Sequence, residues 1–261
     1  MCTNKQRRLT VLRGAVGICG FLLLWECAVQ LGAVSAQQLC PPSQVAAAFF
    51  TKLADPRPDG ATLGAHFIAS SSVALGGFLL ACLIGLPLGL AMGYYQPVYL
   101  LANPIFELLR PIPPIAWIPI VTLLLGIGAQ ARIFIIFLSA VVPCVINAYT
   151  GIRHVPERYI HVGQSLGMSR WRIFTKICIP CALPTLFVGV RLSLNTAWTA
   201  LVAAEMMASV RGLGYMIQMG RLLIQPDIII TGMLTIGSTG ALMSALLSLI
   251  EKRLTKWGAE R

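Results

Sequence analysis

Charge is what this chain has least of. Only 11% of its 261 residues are Asp, Glu, Lys or Arg, and only nine of those are acidic. Soluble domains carry roughly 25% charged residues, so this composition excludes an ordinary water-exposed globular surface. The shortage is also local. Gly60–Phe106 holds no charged residue, and Pro111–Ala131, Ile133–Ile152 and Ile228–Ile250 are each charge-free. A spanning helix needs about 20 mainly apolar residues, so runs of this length read as membrane spans rather than buried core helices.

Other absences narrow the chemistry. The three His (His66, His154, His161) have no ligand spacing, and no Ser/His/Asp arrangement suggests catalysis. The eight Cys lie mostly in or beside apolar runs without a metal-ligand pattern. Cys178 and Cys181 have CxxC spacing, but they sit where a span begins and lack a thioredoxin-like context, so they read as small apolar packing residues. No soluble domain, low-complexity tract or internal repeat is present. No catalytic residue, metal site or cofactor is expected.

What the chain does have is basic residues, which give it a net charge of +11. In a soluble protein that balance would point to nucleic acid; here its distribution points to topology, and no nucleic-acid partner is expected. The spans fall near 14–34, 69–94, 98–127, 131–151, 178–204 and 228–250, about six helices in an all-α membrane protein. Starting inside, the cytoplasmic segments hold thirteen basic residues: Lys5, Arg7, Arg8, Arg13, Arg153, Arg158, Arg170, Arg172, Lys176, Lys252, Arg253, Lys256 and Arg261. The outer segments hold five: Lys52, Arg57, Arg132, Arg211 and Arg221. Both termini are therefore expected to be cytoplasmic. The first apolar run follows a basic flank, as a signal peptide would, but Glu26 interrupts it and no good small-residue cleavage site follows. It reads as a retained helix.

Ser35–Leu63, with Pro41-Pro42 and Asp55-Pro-Arg-Pro-Asp59, is the longest outer loop and too polar to span. Spans two and five are rich in Gly, Ala and Ser, which lets helices approach closely. Pro111–Pro119 holds four prolines in nine residues, so the third span must break or kink there. That break is either a packing kink or an element lining a pathway, since irregular backbone at membrane depth is tolerated beside a wet cavity.

Residues 156 to 184, PERYIHVGQSLGMSRWRIFTKICIPCALP, are the most informative stretch. A basic, polar segment with Gly167 inside helix-forming residues separates two apolar spans. The expected form is a short helix, a turn at Gly167 where positive φ is cheap, and a second helix with exposed polar residues. Gly167 is followed after nine residues by Ile177-Cys-Ile-Pro180. This Gly-to-Pro spacing resembles the cytoplasmic coupling loop of bacterial ABC-importer permeases, with one departure. The positions that pattern gives to Glu-Ala-Ala hold His161-Val162-Gly163, which puts in doubt any salt bridge the acid would make. Leu109–Pro119, Leu125–Gly128, Ala203–Met207 and Gly212–Tyr215 add to the resemblance, which is to the taurine, nitrate and aliphatic-sulfonate branch and covers about residues 40–258.

The resemblance implies a type I ABC-importer permease fold, a single membrane domain over 1–261 with a family-like core at about 65–250 and a coupling loop at about 152–177. It implies a multi-pass protein of the bacterial inner membrane that pairs with a second permease copy, binds ABC ATPase subunits and receives solute from an extracytoplasmic binding protein. The chain has no GxxxxGK[ST] phosphate loop and no Gly-Lys dipeptide, so ATP hydrolysis is expected in the partner. The residues implied to meet the ATPase are His161, Gly163, Gln164, Ser165, Leu166, Gly167, Arg170, Trp171 and Pro180. The substrate implied is a small anion: taurine or another sulfonate first, nitrate or bicarbonate next.

Ionisable residues in or beside the spans are pathway candidates, because charge in a bilayer is costly without a partner or water. Arg110 and Glu107 are three apart and able to pair on one helical face, or to serve a pathway. Arg191 has no acid three or four residues away, which suits an anion pathway. Glu205 is placed either to meet the binding protein or to cap local backbone. The competing class is a secondary transporter or channel, which would need paired ionisable residues at midplane or inverted halves with matching broken helices; only the third span is clearly broken.

Overall fold

The computed structural model describes residues 4–32, 35 and 39–254. The regular elements among them are helical. In chain order they are α1 Asn4–Gln30, α2 Pro42–Ala54, α3 Leu63–Tyr94, α4 Gln96–Leu109, α5 Ile118–Leu125, α6 Ala129–Arg153, α7 Glu157–Ser165, α8 Arg170–Ile173, α9 Ile179–Ala208, α10 Leu213–Leu222 and α11 Pro226–Leu254. A 3-10 turn at Pro114–Trp117 precedes α5, and a π-helical turn at Phe174–Cys178 joins α8 to α9.

The expected spans lie on helices, apart from the break in the third and the end of the first. Leu63–Tyr94, Ala129–Arg153, the run Arg170–Met207 and Pro226–Glu251 are each long and apolar enough to cross a membrane. The third expected span is the bent pair α4 and Pro114–Leu125, which meet at 85°. α1 carries a shorter apolar stretch, Val16–Gln30; residues 33 and 34, the end of the expected first span, lie outside the described residues. The break follows the prolines. Pro113 is extended (φ −58°, ψ 137°), Pro114 opens the 3-10 turn and Pro119 occupies the first turn of α5, where a missing N–H costs nothing. The fifth span begins earlier than the polar sequence suggested, because α8 and the π turn run straight into α9.

The described residues form two compact units, drawn from Met1–His66 with Met216–Thr235 and from Phe67–Tyr215 with Ile236–Arg261. In the first, the connection from α1 to α3 is built on helix α2. The Glu26 carboxylate accepts from the Ser43 backbone N–H at 3.1 Å and from its hydroxyl at 2.8 Å. It thereby satisfies one of the orphan donors at the start of α2, whose Pro41 N-cap offers no side-chain cap. Lys52, Asp59 and His66 form a fully buried ionic cluster. The Lys52 ammonium donates to Asp59 and to the carbonyls of Arg57 (2.9 Å) and Pro56 (3.3 Å), and His66 Nε2 lies 3.3 Å from the second Asp59 oxygen. Burial works against the charged form of Asp59, but the hydrogen bonds from His66 and Lys52 outweigh it and hold the carboxyl below its usual range.

In the second unit α6 is the central helix. Gly77, Gly85 and Gly93 of α3 share the face that meets it. A Cβ at Gly77 would lie 2.5 Å from Ile136, at Gly85 2.8 Å from Cys144 and at Gly93 2.7 Å from Ile152. Across α6, Gly189 of α9 meets Asn147, and Gly151 of α6 meets Ala182 and Thr185. Small residues thus set two close helix contacts, the role expected of them where lipid gives no hydrophobic drive between helices. Ala74, Ala81, Ile136, Ala140, Ala197 and Leu201 fill the contact as one buried cluster.

Candidate functional site

The segment after α6 is built by local signals. His154 ends α6, Pro156 precedes α7, and α7 closes in a two-bond cap at its C-terminus. Met168 N donates to Gly163 O at 3.0 Å and Gly167 N to Gln164 O at 2.9 Å. This pattern requires a left-handed residue after the helix, and Gly167 supplies it with φ +69°. Ser169 then caps α8, its hydroxyl accepting from Arg172 N at 3.4 Å.

Gly163 and Gly167 serve different ends. Gly163 is buried against α8 and the π turn: a Cβ there would lie 2.8 Å from Ile177 and 3.1 Å from Ile173. Gly167 has open space around it and is needed for its backbone alone. The result is a hairpin of two short helices with Ile173, Phe174 and Cys178 packed beneath, together with Ala148 and Ile152 of α6. Cys178 is therefore a packing residue, while Cys181 is exposed.

Of the sequence-predicted contact residues, His161, Gln164, Ser165, Leu166, Gly167, Arg170, Trp171 and Pro180 are exposed and Gly163 is buried. His161 stands beside Gln164 (Nδ1 to Oε1, 3.3 Å), and its carbonyl accepts from the Ser165 hydroxyl. The apolar exposure is large for so short a segment: Leu166 is 74% exposed, Trp171 62% and Val162 58%. Arg158, Arg172 and Lys176 are exposed as well. The Tyr94 hydroxyl, at the end of α3, donates to the Arg170 carbonyl at 2.9 Å, and its ring packs 4.8 Å from that of Phe174.

The three expected pathway residues go to three different settings. Arg110 stays beside Glu107 (3.5 Å) and lines a cavity of about 560 Å³ between the α4–α5 break and α6 and α9. A second cavity of about 380 Å³ shares Pro114, Ser139, Leu192 and Thr196 with it and reaches Asn195 and Thr199. Arg191 corrects the expectation of an unpaired cation. Its guanidinium pairs with Glu251, sixty residues away in sequence and near the end of α11, and it borders neither cavity. Local spacing could not reveal a partner on another helix.

Glu205 is fully buried and caps local backbone. Its carboxylate accepts from the Ser70 hydroxyl at 2.8 Å and from Gly214 N at 2.9 Å, with Arg132 Nη1 3.8 Å away. Ser70 in turn accepts from Leu213 N at 2.8 Å, and Arg132 donates to Ser209. The carboxylate comes so near Gly212 and Gly214 that a Cβ at either would meet it. Sequence reasoning missed Ser70, Tyr94 and the Lys52–Asp59–His66 cluster. A helix-facing Ser among three and a terminal Tyr carry no motif. In the sequence Lys52 is only one of the basic residues outside the cytoplasmic segments, His66 has no ligand spacing, and Asp59 carries no motif.

Residues 85–257 match the family model described as binding-protein-dependent transport system inner membrane component. The taurine transport system permease protein TauC of Escherichia coli K12 is 34% identical over 254 residues, covering 97% of this chain and 92% of TauC. The nitrate import permease protein NrtB of Synechocystis is 33% identical, over 92% of this chain and 88% of that protein. Among solved structures, an inward-facing conformation of the MetNI methionine ABC transporter superposes with a TM-score of 0.62 at 20% identity, covering 72% of this chain and 92% of the matched one. That likeness is one of fold.

Proposed function

Because the chain belongs to the family of binding-protein-dependent transport system inner membrane components, we propose that it is the permease subunit of an ATP-driven importer for a small anion, a sulfonate such as taurine before nitrate or bicarbonate. It is a multi-pass inner-membrane protein, and ATP hydrolysis belongs to a separate ATPase subunit. An extracytoplasmic binding protein delivers the solute, two permease copies enclose the route, and both termini face the cytoplasm with the α7–α8 hairpin.

The observation that carries this reading is the hairpin itself. Short connections between membrane helices have no reason to display Leu166 and Trp171 to water. A rigid, capped turn with an apolar centre and a rim of Arg158, Arg170, Arg172 and Lys176 suits a soluble partner that must push on it. His161, Gln164, Ser165, Gly167 and Pro180 complete the exposed face, with Gly163 holding the two helices close. In this reading Arg110 and the polar residues Ser139, Asn195 and Thr196 border the solute route at the α4–α5 break.

Mild-detergent purification of the tagged chain from its native membrane tests the assignment. An ATPase subunit is expected to come with the parent and to be lost with Leu166→Glu/Trp171→Glu. Uptake of radiolabelled taurine is expected to need ATP and the binding protein. A chain that carries solute in liposomes without any ATPase would overturn it.

A further inference from the structure

The two hydrogen-bonded ends of α3 attach to the two segments that matter most on opposite sides of the second unit. Two turns in from its first residue, Leu63, Ser70 bonds Glu205 and the Leu213 backbone. At its last residue, Tyr94 bonds the Arg170 carbonyl in the hairpin. The 24 residue steps from Ser70 to Tyr94 rise about 36 Å at 1.5 Å per residue, the full depth of a bilayer's apolar core. The helix is unbroken over that length, although Pro87 lies inside it. Gly85 and Gly93, on either side of Pro87, seat it against α6 with no room for a side chain.

We propose that α3 is a rod that links the α7–α8 hairpin to the Glu205 latch, with Tyr94 and Ser70 as the positioning residues at its ends. The inference rests on the importer reading above. The hairpin has somewhere to move from: the π turn at Phe174–Cys178 sets one residue of extra winding between α8 and α9, a feature often found where helices shift at functional sites. Arg170 begins α8, which continues through the π turn into α9, so displacement of the hairpin acts on Tyr94 and on α9 together. At the far end Ser70 holds the carboxylate that gathers the Ser209–Gly214 loop. Movement of α3 relative to α9, which carries Glu205, therefore loosens or tightens that loop.

The test uses the assembled complex with its ATPase and binding protein in liposomes. Tyr94→Phe removes one hydroxyl and keeps the ring against Phe174. Purified yield, thermal midpoint and basal ATPase rate should match the parent. Solute carried per ATP hydrolysed in the presence of binding protein should fall about two- to tenfold, the range one neutral hydrogen bond supports. Tyr95→Phe, which deletes the neighbouring hydroxyl, is the control and should leave that ratio unchanged. Ser70→Ala and the double variant complete a cycle. A double variant no worse than the more affected single one supports one rod; effects that multiply mean two independent ties and overturn it. Parental coupling in Tyr94→Phe overturns it as well. A preparation with no ATP-dependent uptake at all would instead refute the importer reading.

Discussion

Two glycines four residues apart show what a single residue does in this chain. Gly167 is required for a backbone angle that other L-residues adopt at a cost of roughly 1–2 kcal/mol, with Asn the best tolerated. Gly163 is required for space. Gly167→Asn is therefore expected to retain ATPase binding nearly as the parent does, and Gly167→Val to weaken it about tenfold or more; titration of the ATPase against the purified permease measures both. If Asn and Val were equally harmful, a contact at that position rather than the turn would be at issue. The turn was legible because a glycine ahead of a polar helix has few other uses. Gly163 was assigned to the same segment, but its packing on Ile173 and Ile177 needed the fold.

Asp59 makes a prediction about acid. Its folded carboxyl titrates below its usual range, so the unfolded chain binds its proton first as pH falls. The stability it contributes is complete above the ordinary carboxylate value of about 3.9 and is lost only as pH drops through the lower folded value. Asp59→Asn should lower the thermal midpoint in detergent at pH 7, and the gap to the parent should begin to close only below about pH 4. A gap already closing at pH 6 would mean that the carboxyl is not held as described.

Among the elements, the α4–α5 break was the most readable, since four closely spaced prolines leave no continuous helix possible. The pairing of helices was not readable in the same way. Arg191 and Glu251 sit on α9 and α11, and nothing in either stretch names the other. The pair implies that Arg191→Glu and Glu251→Arg each impair assembly, while the double exchange restores it in part. Yield of folded complex by size-exclusion chromatography reads this out, and failure of the exchange to recover anything would argue that the two charges act separately. α8 and α9 carry a related lesson. The polar sequence from Arg170 to Lys176 predicts a second helix separate from the span at 178–204, yet Ser169 caps a helix that runs through the π turn into α9, with its apolar side satisfied by α6.

At the scale of the whole molecule the sequence announces its class more clearly than its inner wiring. Charge-free runs, the basic bias and the Gly-to-Pro spacing are signals along one dimension, and they led to a permease whose family match spans residues 85–257. The Glu205 latch, the α3–α6 glycine face and the Tyr94 tie depend on residues that meet only after folding. They belong to no local pattern, and most use common residue types.

The exposed tryptophan of the hairpin has a consequence for the cell rather than for transport. Trp171, Leu166 and Val162 are exposed, and under the proposed function a permease copy made without its ATPase is expected to leave them uncovered, a surface that proteases and chaperones treat as incomplete folding. Such an orphan is marked for removal by the same side chains that would secure it in a complex. The amount of this subunit is then expected to follow its partner's supply, and expression with and without the ATPase subunit, read by immunoblot, checks it.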